Sequence, residues 1–371
     1  IWDDVQKNSN TSVEQMKRAG ASADWSRFKF SLDKDVVDMV LDTFIKLNDD
    51  GLIYRGERLV NYCPFCGTAY SDLEIEYEDR NSPLYYIKYP LVGEEGYVSV
   101  ATVRPEPIFA DTHLAVNPKD KKKKGLIGKK VSNPLTGEKM EIIGDAMVDP
   151  KFGTGVVKLT PAHDSNDWEV AERLGLPRRA AINMKGRITE LGGKYAGMKV
   201  AEARTLVVED LKAKGLIEKI DEKYTNRVMS CYRCHRTIEP LPMKQFFVKV
   251  RPLADKALKA LDDKETIILG AGREKILRHW LKNLKDWNIS RQIVWGIRLP
   301  VWFKNGNKEE CVVSKSSPGE EYEQETDTFD TWFSSGQWPV VTLKSNRAGD
   351  FEYYYPTTVL ETAYEILPFW V

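Results

Sequence analysis

Apolar side chains recur every three or four positions between residues 37 and 47. Asp33, before this stretch, is a residue type that caps helix N-termini, and Gly51, after it, is typical of a helix end. The pattern therefore predicts an amphipathic helix. The same spacing returns in four later segments, 168–174, 200–214, 253–261 and 276–284, and Gly175 and Gly215 follow the first two of them.

Strand patterns dominate the middle of the chain. Residues 52–62 are predicted to form a strand, and from residue 84 onward β-favouring side chains are interrupted by Pro, Gly and Asn-Pro breaks. The clearest predicted strands are 97–102 and 155–160. We therefore expect a mixed, mainly β domain from about residue 84 to about residue 223, with a few helices packed on it.

Length and charge limit the classes of protein to consider. A chain of 371 residues with 42% hydrophobic residues can bury two or three cores, so we expect several domains. The 55 basic and 55 acidic residues cancel, so no overall field attracts nucleic acid, and we interpret the basic run 121–124 as a solvated loop. No apolar stretch reaches the length of a membrane span, and nothing near Ile1 resembles a signal peptide. We expect a cytoplasmic protein with reduced thiols.

Four of the five cysteines fall in two Cys-x-x-Cys pairs, Cys63 with Cys66 and Cys231 with Cys234. Such a loop can turn both sulfurs to one tetrahedral cation, and two loops supply the four ligands of a structural zinc site. Zinc is the first hypothesis, and the spacing leaves open whether the two pairs share one site. The alternative is a thioredoxin-like redox pair, but neither pair precedes an obvious helix.

Polar residues at strand spacing mark a second candidate site. Each of two predicted strands contains, or is directly followed by, two polar residues two positions apart. Side chains at this spacing lie on the same face of a sheet. After the second strand, two aspartates three positions apart stand at a predicted helix start and can point the same way. Such carboxylates can fix an ammonium group or orient a water, and each taken alone can equally be a helix cap. The residues are Thr102 with Arg104, Lys158 with Thr160, and Asp164 with Asp167.

The segments around these residues resemble the editing insertion of the class I aminoacyl-tRNA synthetases for valine, isoleucine and leucine. Further segments, in the family's order, favour the valyl-tRNA synthetases, and the resemblance covers nearly the whole chain. The first group is 101–106 (ATVRPE), 153–155 (GTG) and 160–164 (TPAHD). The second group is 20–27 (GASADWSR), 58–61 (RLVN), 289–292 (ISRQ), 330–335 (DTWFSS) and 355–360 (YPTTVL).

The resemblance implies an enzyme that attaches valine to its tRNA and hydrolyses misattached threonine at a second, editing site. A second site is needed because threonine has nearly the shape of valine. An apolar pocket prefers valine over such a hydroxyl-bearing isostere by only about a hundredfold. Where the family usually has Thr after Arg-Pro-Glu, this chain has Pro107, which lacks a hydroxyl and an amide donor. By similarity, Lys158, Thr160 and Asp167 would line the editing pocket, Asp164 would hold the α-amino group, and Arg104 with Thr102 would position the terminal adenosine of the tRNA.

The resemblance also implies a doubly wound, Rossmann-like catalytic core, which binds valine and ATP with magnesium in the full-length enzyme. Trp332, Glu365 and Ile366 match positions of the valine pocket, although the family commonly has Asp at Glu365 and His at Ile297. The His-x-Gly-His and Lys-Met-Ser-Lys-Ser signatures that hold ATP do not occur in this sequence. We therefore expect the chain itself to be competent at most for editing. Its partners would be valine tRNA, valine and ATP, and we expect a monomer.

The predicted fold class is α/β and multi-domain, with a partial Rossmann-like core, an inserted mainly β editing domain and a zinc-knuckle junction. The chain starts without Met and stops inside an apolar run, so we expect an internal fragment. Alternatives are an isoleucyl-tRNA synthetase fragment, a free-standing aminoacyl-tRNA deacylase, or a non-catalytic zinc-ribbon module that binds nucleic acid. The predicted divisions are 1–83 (core with the first Cys pair), 84–223 (editing domain), 224–250 (second Cys pair and return linker) and 251–371 (second half of the core).

Overall fold

The computed structural model describes residues 1–369 and 371, which divide into two units. The predicted boundaries at residues 83, 223 and 250 do not coincide with the limits of these units, so the four-part organisation stays a prediction. The first unit comprises Ile1–Lys46, Pro300–Gln324 and Thr331–Val371, and the second comprises Leu47–Leu299 and Glu325–Asp330.

Helices occupy each of the five segments for which helical spacing predicted one, and others lie where no prediction was made. None of the helices in the described part of the chain is long and apolar enough to cross a membrane. In chain order the described helices are α1 (Trp2–Arg18), α2 (Lys34–Asp49), α3 (Ser165–Leu174), α4 (Val200–Ala213), α5 (Arg251–Asp262), α6 (Arg273–Asn283), α7 (Thr331–Ser335), α8 (Trp338–Ser345), α9 (Asp350–Tyr354) and α10 (Ile366–Phe369).

The first predicted helix is confirmed as α2. Val36, Val40 and Phe44 are fully buried along one face of it, as expected when an apolar stripe packs against a core. Gly51 follows the helix with a φ of +70°, a left-handed conformation that glycine adopts without a Cβ clash. Helix α1 was not predicted because its sequence is mostly polar. Among its described side chains Val13 is the buried hydrophobic one.

Strands recur through the middle of the chain, and the range 84–223, for which a mainly β domain was predicted, contains seven strands and two α-helices. The strand predicted at 97–102 is confirmed with the same bounds. In chain order the described strands are β1 (Ile53–Cys63), β2 (Thr68–Tyr70), β3 (Ile75–Asn81), β4 (Leu84–Pro90), β5 (Tyr97–Thr102), β6 (His113–Val116), β7 (Lys130–Ser132), β8 (Lys139–Gly144), β9 (Val156–Leu159), β10 (Ile217–Asp221), β11 (Thr225–Cys231), β12 (Glu239–Val248), β13 (Trp287–Asn288), β14 (Ser290–Arg291), β15 (Val301–Lys304), β16 (Cys311–Val313), β17 (Tyr322–Gln324) and β18 (Thr328–Phe329).

The second unit is built on a long antiparallel pair and two further sheets that carry the candidate site. β1 and β12 pair from Ile53 opposite Val248 to Tyr62 opposite Glu239, in a sheet of order β13-β12-β1-β2. Another sheet has the order β10-β4-β5. The sheet β7-β8-β6-β9 contains the parallel pair β6–β8 and the antiparallel pair β6–β9. Side chains from these sheets form one apolar core, which excludes water from the polar groups beside it.

The doubly wound parallel sheet expected within 251–371 is not formed by the described residues of that range. There β14 pairs antiparallel with β18, and β15 pairs antiparallel with both β16 and β17. The connection from β15 to β16, residues 305–310, is shorter than the dozen or more residues that a parallel crossover needs, so these two strands can only be antiparallel neighbours. The α/β class is observed, and the Rossmann-like core stays a prediction.

Candidate functional site

Strand pairing brings Asp111 and Thr160 together. β6 and β9 are antiparallel with His113 opposite Leu159, so the residues just beyond this pair lie at the same end of the sheet. Thr112 N–H donates to the Leu159 carbonyl oxygen at 3.0 Å and extends the pairing by one residue. The Thr160 hydroxyl then donates to Oδ1 of Asp111 at 2.6 Å. Both side chains are buried.

Asp111 is the acceptor for three side chains. Besides Thr160, Lys158 places its Nζ 3.3 Å from Oδ1 of Asp111, and Tyr89 donates its hydroxyl to Oδ2 at 2.7 Å. The Lys158 ammonium also donates to the Thr160 hydroxyl at 2.5 Å. Burial raises the pKa of Asp111, and Lys158, Thr160 and Tyr89 act against that rise. A buried carboxylate therefore fixes two groups that were predicted to line the pocket, Lys158 and Thr160.

Asp164 and Asp167 stand at the N-terminus of α3. Asp164 is exposed and caps the helix, because its Oδ1 accepts the backbone N–H of Asn166 at 2.8 Å and of Asp167 at 3.2 Å. Asp167 is buried, and its Oδ2 accepts the backbone N–H of Thr160 at 2.8 Å. Burial, followed by the charge of Asp164, raises the pKa of Asp167 to about 7. Capping, which was one interpretation of each aspartate, is confirmed for Asp164.

Arg104 belongs to a cluster of two arginines and two glutamates. The Thr102 hydroxyl accepts the Arg104 backbone N–H at 3.1 Å and fixes the chain just after β5. The Arg104 guanidinium donates from Nε to Glu106 at 2.8 Å and from Nη2 to Glu239 at 2.6 Å. Arg204 makes two bonds to Glu106, each of 2.9 Å. The Glu106 side chain is fully buried and that of Glu239 is 8% exposed, so the carboxylates depend on these cations.

Charge compensation keeps the buried cluster ionised. Burial alone would raise the pKa of Glu106, but Arg104 and Arg204 hold that pKa at about 2. Burial acts to lower the pKa of Arg104, whereas Glu239 and Glu106 raise it above its ordinary value. Burial raises the pKa of Glu239, with Arg104 opposing the rise. Removing one member leaves an unpaired buried charge, which typically costs about 3–5 kcal/mol.

His163 is held on both ring nitrogens. Nδ1 lies 3.2 Å from the carbonyl oxygen of Pro240, and Nε2 accepts the backbone N–H groups of Ala181 at 2.8 Å and Ile182 at 3.2 Å. This pattern requires a neutral imidazole with its proton on Nδ1. Burial, followed by the charge of Arg104, lowers the pKa of His163 to about 3. His163 is therefore a fixed part of the framework, and its lone pair is already in use.

Sequence reasoning missed four charged residues of this site. Glu106 belongs to the Arg-Pro-Glu segment, and its position two residues after Arg104 was the available signal. The others reach the site only through the fold, across sequence separations of at least 47 residues, so no local pattern could have indicated them. They are Asp111, Arg204 and Glu239.

The four paired cysteines converge on one point. Sγ of Cys63 lies 3.5 Å from Sγ of Cys234, and Sγ of Cys66 lies 3.9 Å from Sγ of Cys231. All four sulfurs lie within 4.8 Å of one another. A tetrahedral zinc site with bonds of about 2.3 Å needs sulfur separations of about 3.8 Å, whereas a disulfide needs about 2.05 Å. The two pairs thus form one cluster with metal-binding spacing.

The thiols of the cysteine cluster differ in their surroundings: burial raises the pKa of Cys63 to about 12 and also raises the pKa of Cys66. The backbone N–H groups of Cys234 and Arg233 act against burial and lower the pKa of Cys231 to about 7. The hydroxyl of Tyr70 is buried without a hydrogen bond of ordinary geometry. Its neighbours include the sulfurs of Cys231 and Cys66, which, after burial, raise the pKa of Tyr70 above its ordinary value. A buried hydroxyl donor facing sulfur fits a thiolate ligand set.

A surface cleft of about 410 Å³ lies along β6, β7 and β8, away from the predicted pocket residues. It meets the site through Arg179, which donates to Glu138 at 2.8 Å and to the Asp111 carbonyl oxygen at 3.1 Å. The cleft is open, and the charged side chains that line it are of mixed sign. The residues lining the cleft are Thr112, His113, Lys130, Glu138, Lys139, Met140, Glu141, Pro177 and Arg179.

The residues predicted at the valine pocket lie in the first unit. Trp332 is half-buried in α7. Glu365 is exposed, and Ile366, the first residue of α10, is 36% exposed. The two C-terminal residues therefore do not enclose a pocket here, and their roles stay predictions. Pro107, the departure in the editing motif, is buried in the first turn of a 3₁₀ helix, Glu106–Ala110, where a missing N–H leaves no intrahelical bond unmade.

Comparison with known proteins identifies the family. The model of the tRNA synthetases class I (I, L, M and V) matches residues 1–319 and 312–371. Among curated relatives, the valine–tRNA ligase of Petrotoga mobilis is 45% identical, that of Clostridium tetani 43% and that of Thermotoga maritima 41%, each over 100% of this chain. The chain spans 43% of the length of the first two and 44% of the third.

These relatives agree with the motifs that favoured valine over isoleucine, and the resemblance to valyl-tRNA synthetases is confirmed. The match extends over both units of the chain, including the segments that hold the Asp111 network and the four cysteines. The chain belongs to the class I tRNA synthetases of the isoleucine, leucine, methionine and valine group.

Proposed function

We propose that this chain carries the editing site of a valine–tRNA ligase, which hydrolyses threonine misattached to valine tRNA. The observation that carries the proposal is the buried Asp111 network, which holds the Lys158 ammonium and the Thr160 hydroxyl beside the N-terminus of α3. The longer protein would activate valine with ATP and magnesium and transfer it to the tRNA. In that reaction Trp332, Glu365 and Ile366 would lie at the valine site.

The network supplies a physical basis for selecting threonine. Lys158 has three N–H donors, and two of them are directed at Asp111 and Thr160. The third can donate to the side-chain hydroxyl of threonine. Valine has a methyl group at that position, so its entry would leave the donor unpaired in a largely buried site. An unmade hydrogen bond of this kind costs about 1–3 kcal/mol, which favours threonine over valine.

The remaining predicted residues would bind the other parts of the substrate. Both cap bonds of Asp164 go to Oδ1, so its Oδ2 can pair with the α-ammonium group. Arg104, 26% exposed, would contact the terminal adenosine from the end of β5. Water then attacks the ester carbonyl carbon, the bond to the ribose oxygen breaks, and threonine leaves without a covalent enzyme intermediate. Catalysis would depend mainly on the fixed positions of substrate and water.

The structural metal is proposed to be zinc held by Cys63, Cys66, Cys231 and Cys234. Bound zinc would contribute its binding free energy to folding and would offer no open position to a substrate. The separations between the sulfurs and the buried hydroxyl of Tyr70 support this assignment. A cytoplasmic location and a monomeric state stay predictions from the sequence.

The first test compares hydrolysis of threonine and of valine from valine tRNA by the purified chain. We expect release of threonine and retention of valine. An Asp164→Asn variant should lose most threonine release at an unchanged melting temperature, because Asn caps a helix about as well as Asp but carries no charge. An Asp164→Ala variant should lose the activity and also about 1 kcal/mol of stability. Equal rates on threonine and valine, or full activity of Asp164→Asn, would contradict the proposal.

A second prediction concerns amino-acid activation. The chain contains neither ATP signature motif, so it has no groups of that kind to stabilise the phosphates of ATP. We expect no valine-dependent exchange of pyrophosphate into ATP by the purified chain. The full-length valine–tRNA ligase of Thermotoga maritima serves as the positive control under the same conditions. Exchange above background that depends on valine would show that the missing motifs are dispensable.

A further inference from the structure

Two residues outside the predicted editing domain reach into the site from the start of β12. Glu239 binds Nη2 of Arg104 at 2.6 Å, and the carbonyl oxygen of Pro240 lies 3.2 Å from Nδ1 of His163. Arg104 and His163 come from different segments of the pocket framework. The first two residues of β12 therefore complete a site whose other members lie between residues 84 and 223.

Glu239 itself stands on a rigid support. It pairs with Tyr62 at the end of the ten-residue register between β1 and β12. Its side chain is 8% exposed, so the carboxylate is nearly excluded from water and its direction is set by packing. Cys231 and Cys234 of the cysteine cluster lie a few residues before it, and Cys63 follows Tyr62 directly. The position of Glu239 is thus fixed by the β1–β12 pair and by the neighbouring cysteine cluster.

The two glutamates hold Arg104 in different ways. Glu106 accepts one hydrogen bond from Nε of Arg104, and both of its carboxylate oxygens also accept hydrogen bonds from Arg204. Glu106 therefore neutralises charge, but its single bond to Arg104 leaves the Arg104 guanidinium able to turn about Nε. The second bond, from Nη2 to Glu239, fixes the plane of the group. Nη1 takes part in neither bond. With 26% of the side chain exposed, Nη1 can meet a ligand.

We infer that Glu239 is a positioning residue of the editing site, which orients the Arg104 guanidinium toward the terminal adenosine of the tRNA. The inference rests on the proposed function and deepens it, because it places a residue from outside the editing domain in the recognition of the substrate's nucleoside end. Glu239 acts through Arg104 and does not touch the substrate.

A double-mutant cycle separates this role from a merely structural ion pair. The variants are Glu239→Gln, Arg104→Gln and the double variant, which keeps Glu106 and Arg204 as a neutral pair. Glu239→Gln should lower kcat/KM for release of threonine from valine tRNA about tenfold, mostly through KM, as expected for losing a charge-assisted contact. Adding Glu239→Gln to Arg104→Gln should lower kcat/KM no further, because the residue through which it acts is gone. The exposed Glu218 on β10 supplies the matched control Glu218→Gln, which should leave kcat/KM unchanged.

Binding of a non-hydrolysable threonyl-adenosine, with an amide in place of the ester, is measured in parallel with melting temperatures. Weaker binding in Glu239→Gln supports the inference even if the wild-type chain hydrolyses nothing, an outcome that would count against the proposed function alone. Reductions of kcat/KM by the two single substitutions that are equal and that add in the double variant would overturn the positioning role. A reduction of kcat/KM that parallels a lower melting temperature, with KM unchanged, would overturn it as well. Failure of the wild-type chain both to hydrolyse and to bind would overturn the inference and the proposed function together.

Discussion

A Cys63→Ser variant is expected to retain no zinc and to melt well below the wild-type chain. Cys63 is fully buried, and its sulfur lies 3.5 Å from that of Cys234, so a serine there removes one of the four sulfur ligands. Structural zinc contributes on the order of 10 kcal/mol or more of apparent binding free energy in small domains. Elemental analysis should find about one zinc per wild-type chain, as a four-cysteine site implies, and close to none in the variant.

The matched control is Cys311→Ser. Cys311 is exposed and lies outside the cysteine cluster, so this variant should keep both its zinc and its melting temperature. Chelator treatment of the wild-type chain should reproduce the lower melting temperature of Cys63→Ser. A wild-type protein purified without metal, or a Cys63→Ser variant that still binds it, would show that the cluster is not a zinc site.

Elements with local signals were predictable from the sequence. Helix α2 follows from the apolar spacing of residues 37–47, and β5 from the alternating segment before Thr102, because each pattern is decided by neighbours in the chain. The sequence does not decide whether Cys63 and Cys231 belong to one site. Loops of two residues fix each pair, but only the β1–β12 pairing brings the two pairs together.

The candidate site was predicted in part for a similar reason. Lys158 and Thr160 were recognised by their spacing, whereas Asp111, which binds both, lies about 50 residues away and depends on the β6–β9 register. The distinction between Asp164 and Asp167 also needed the structure. Both stand at a helix start, but one is an exposed cap and the other is buried against the backbone of Thr160. The chemical difference between Asp164 and Asp167 comes from burial, which the spacing of the two residues in the sequence does not indicate.

Burial of Asp167 leads to a pH-dependent prediction. Its pKa is about 7 in the folded chain and about 3.9 in an unfolded one. The folded state therefore holds a proton that the unfolded state releases between these values. The stabilising contribution of the protonated carboxyl is complete below about pH 4 and is lost as the pH rises through about 7. Above pH 7 the ionised carboxylate costs the folded state on the order of a few kcal/mol relative to a neutral side chain.

An Asp167→Asn variant should therefore gain stability over the wild-type chain as the pH rises. The amide oxygen can still accept the Thr160 N–H that now bonds to Oδ2, but there is no charge to bury. Denaturant midpoints at pH 5 and pH 8 should show a small advantage of the variant at pH 5 and a larger one at pH 8. Glu169→Gln, an exposed change on the same helix, should show no such trend. An advantage of the same size at both pH values would mean that Asp167 is already ionised at pH 5.

The same substitution should abolish most of the proposed editing. If Asp167 lines the pocket, its carboxylate is the group that can accept a proton or orient water next to Thr160, and losing such a group lowers rates by about a hundredfold or more. Release of threonine from valine tRNA at pH 8 should fall by that factor in Asp167→Asn, although the folded protein is more stable. A side chain that lowers the free energy of unfolding at pH 8 but is needed for hydrolysis is typical of a residue retained for function. A variant that is more stable and fully active would remove Asp167 from the editing site and leave Lys158 and Thr160, held by Asp111, to carry the selection of threonine.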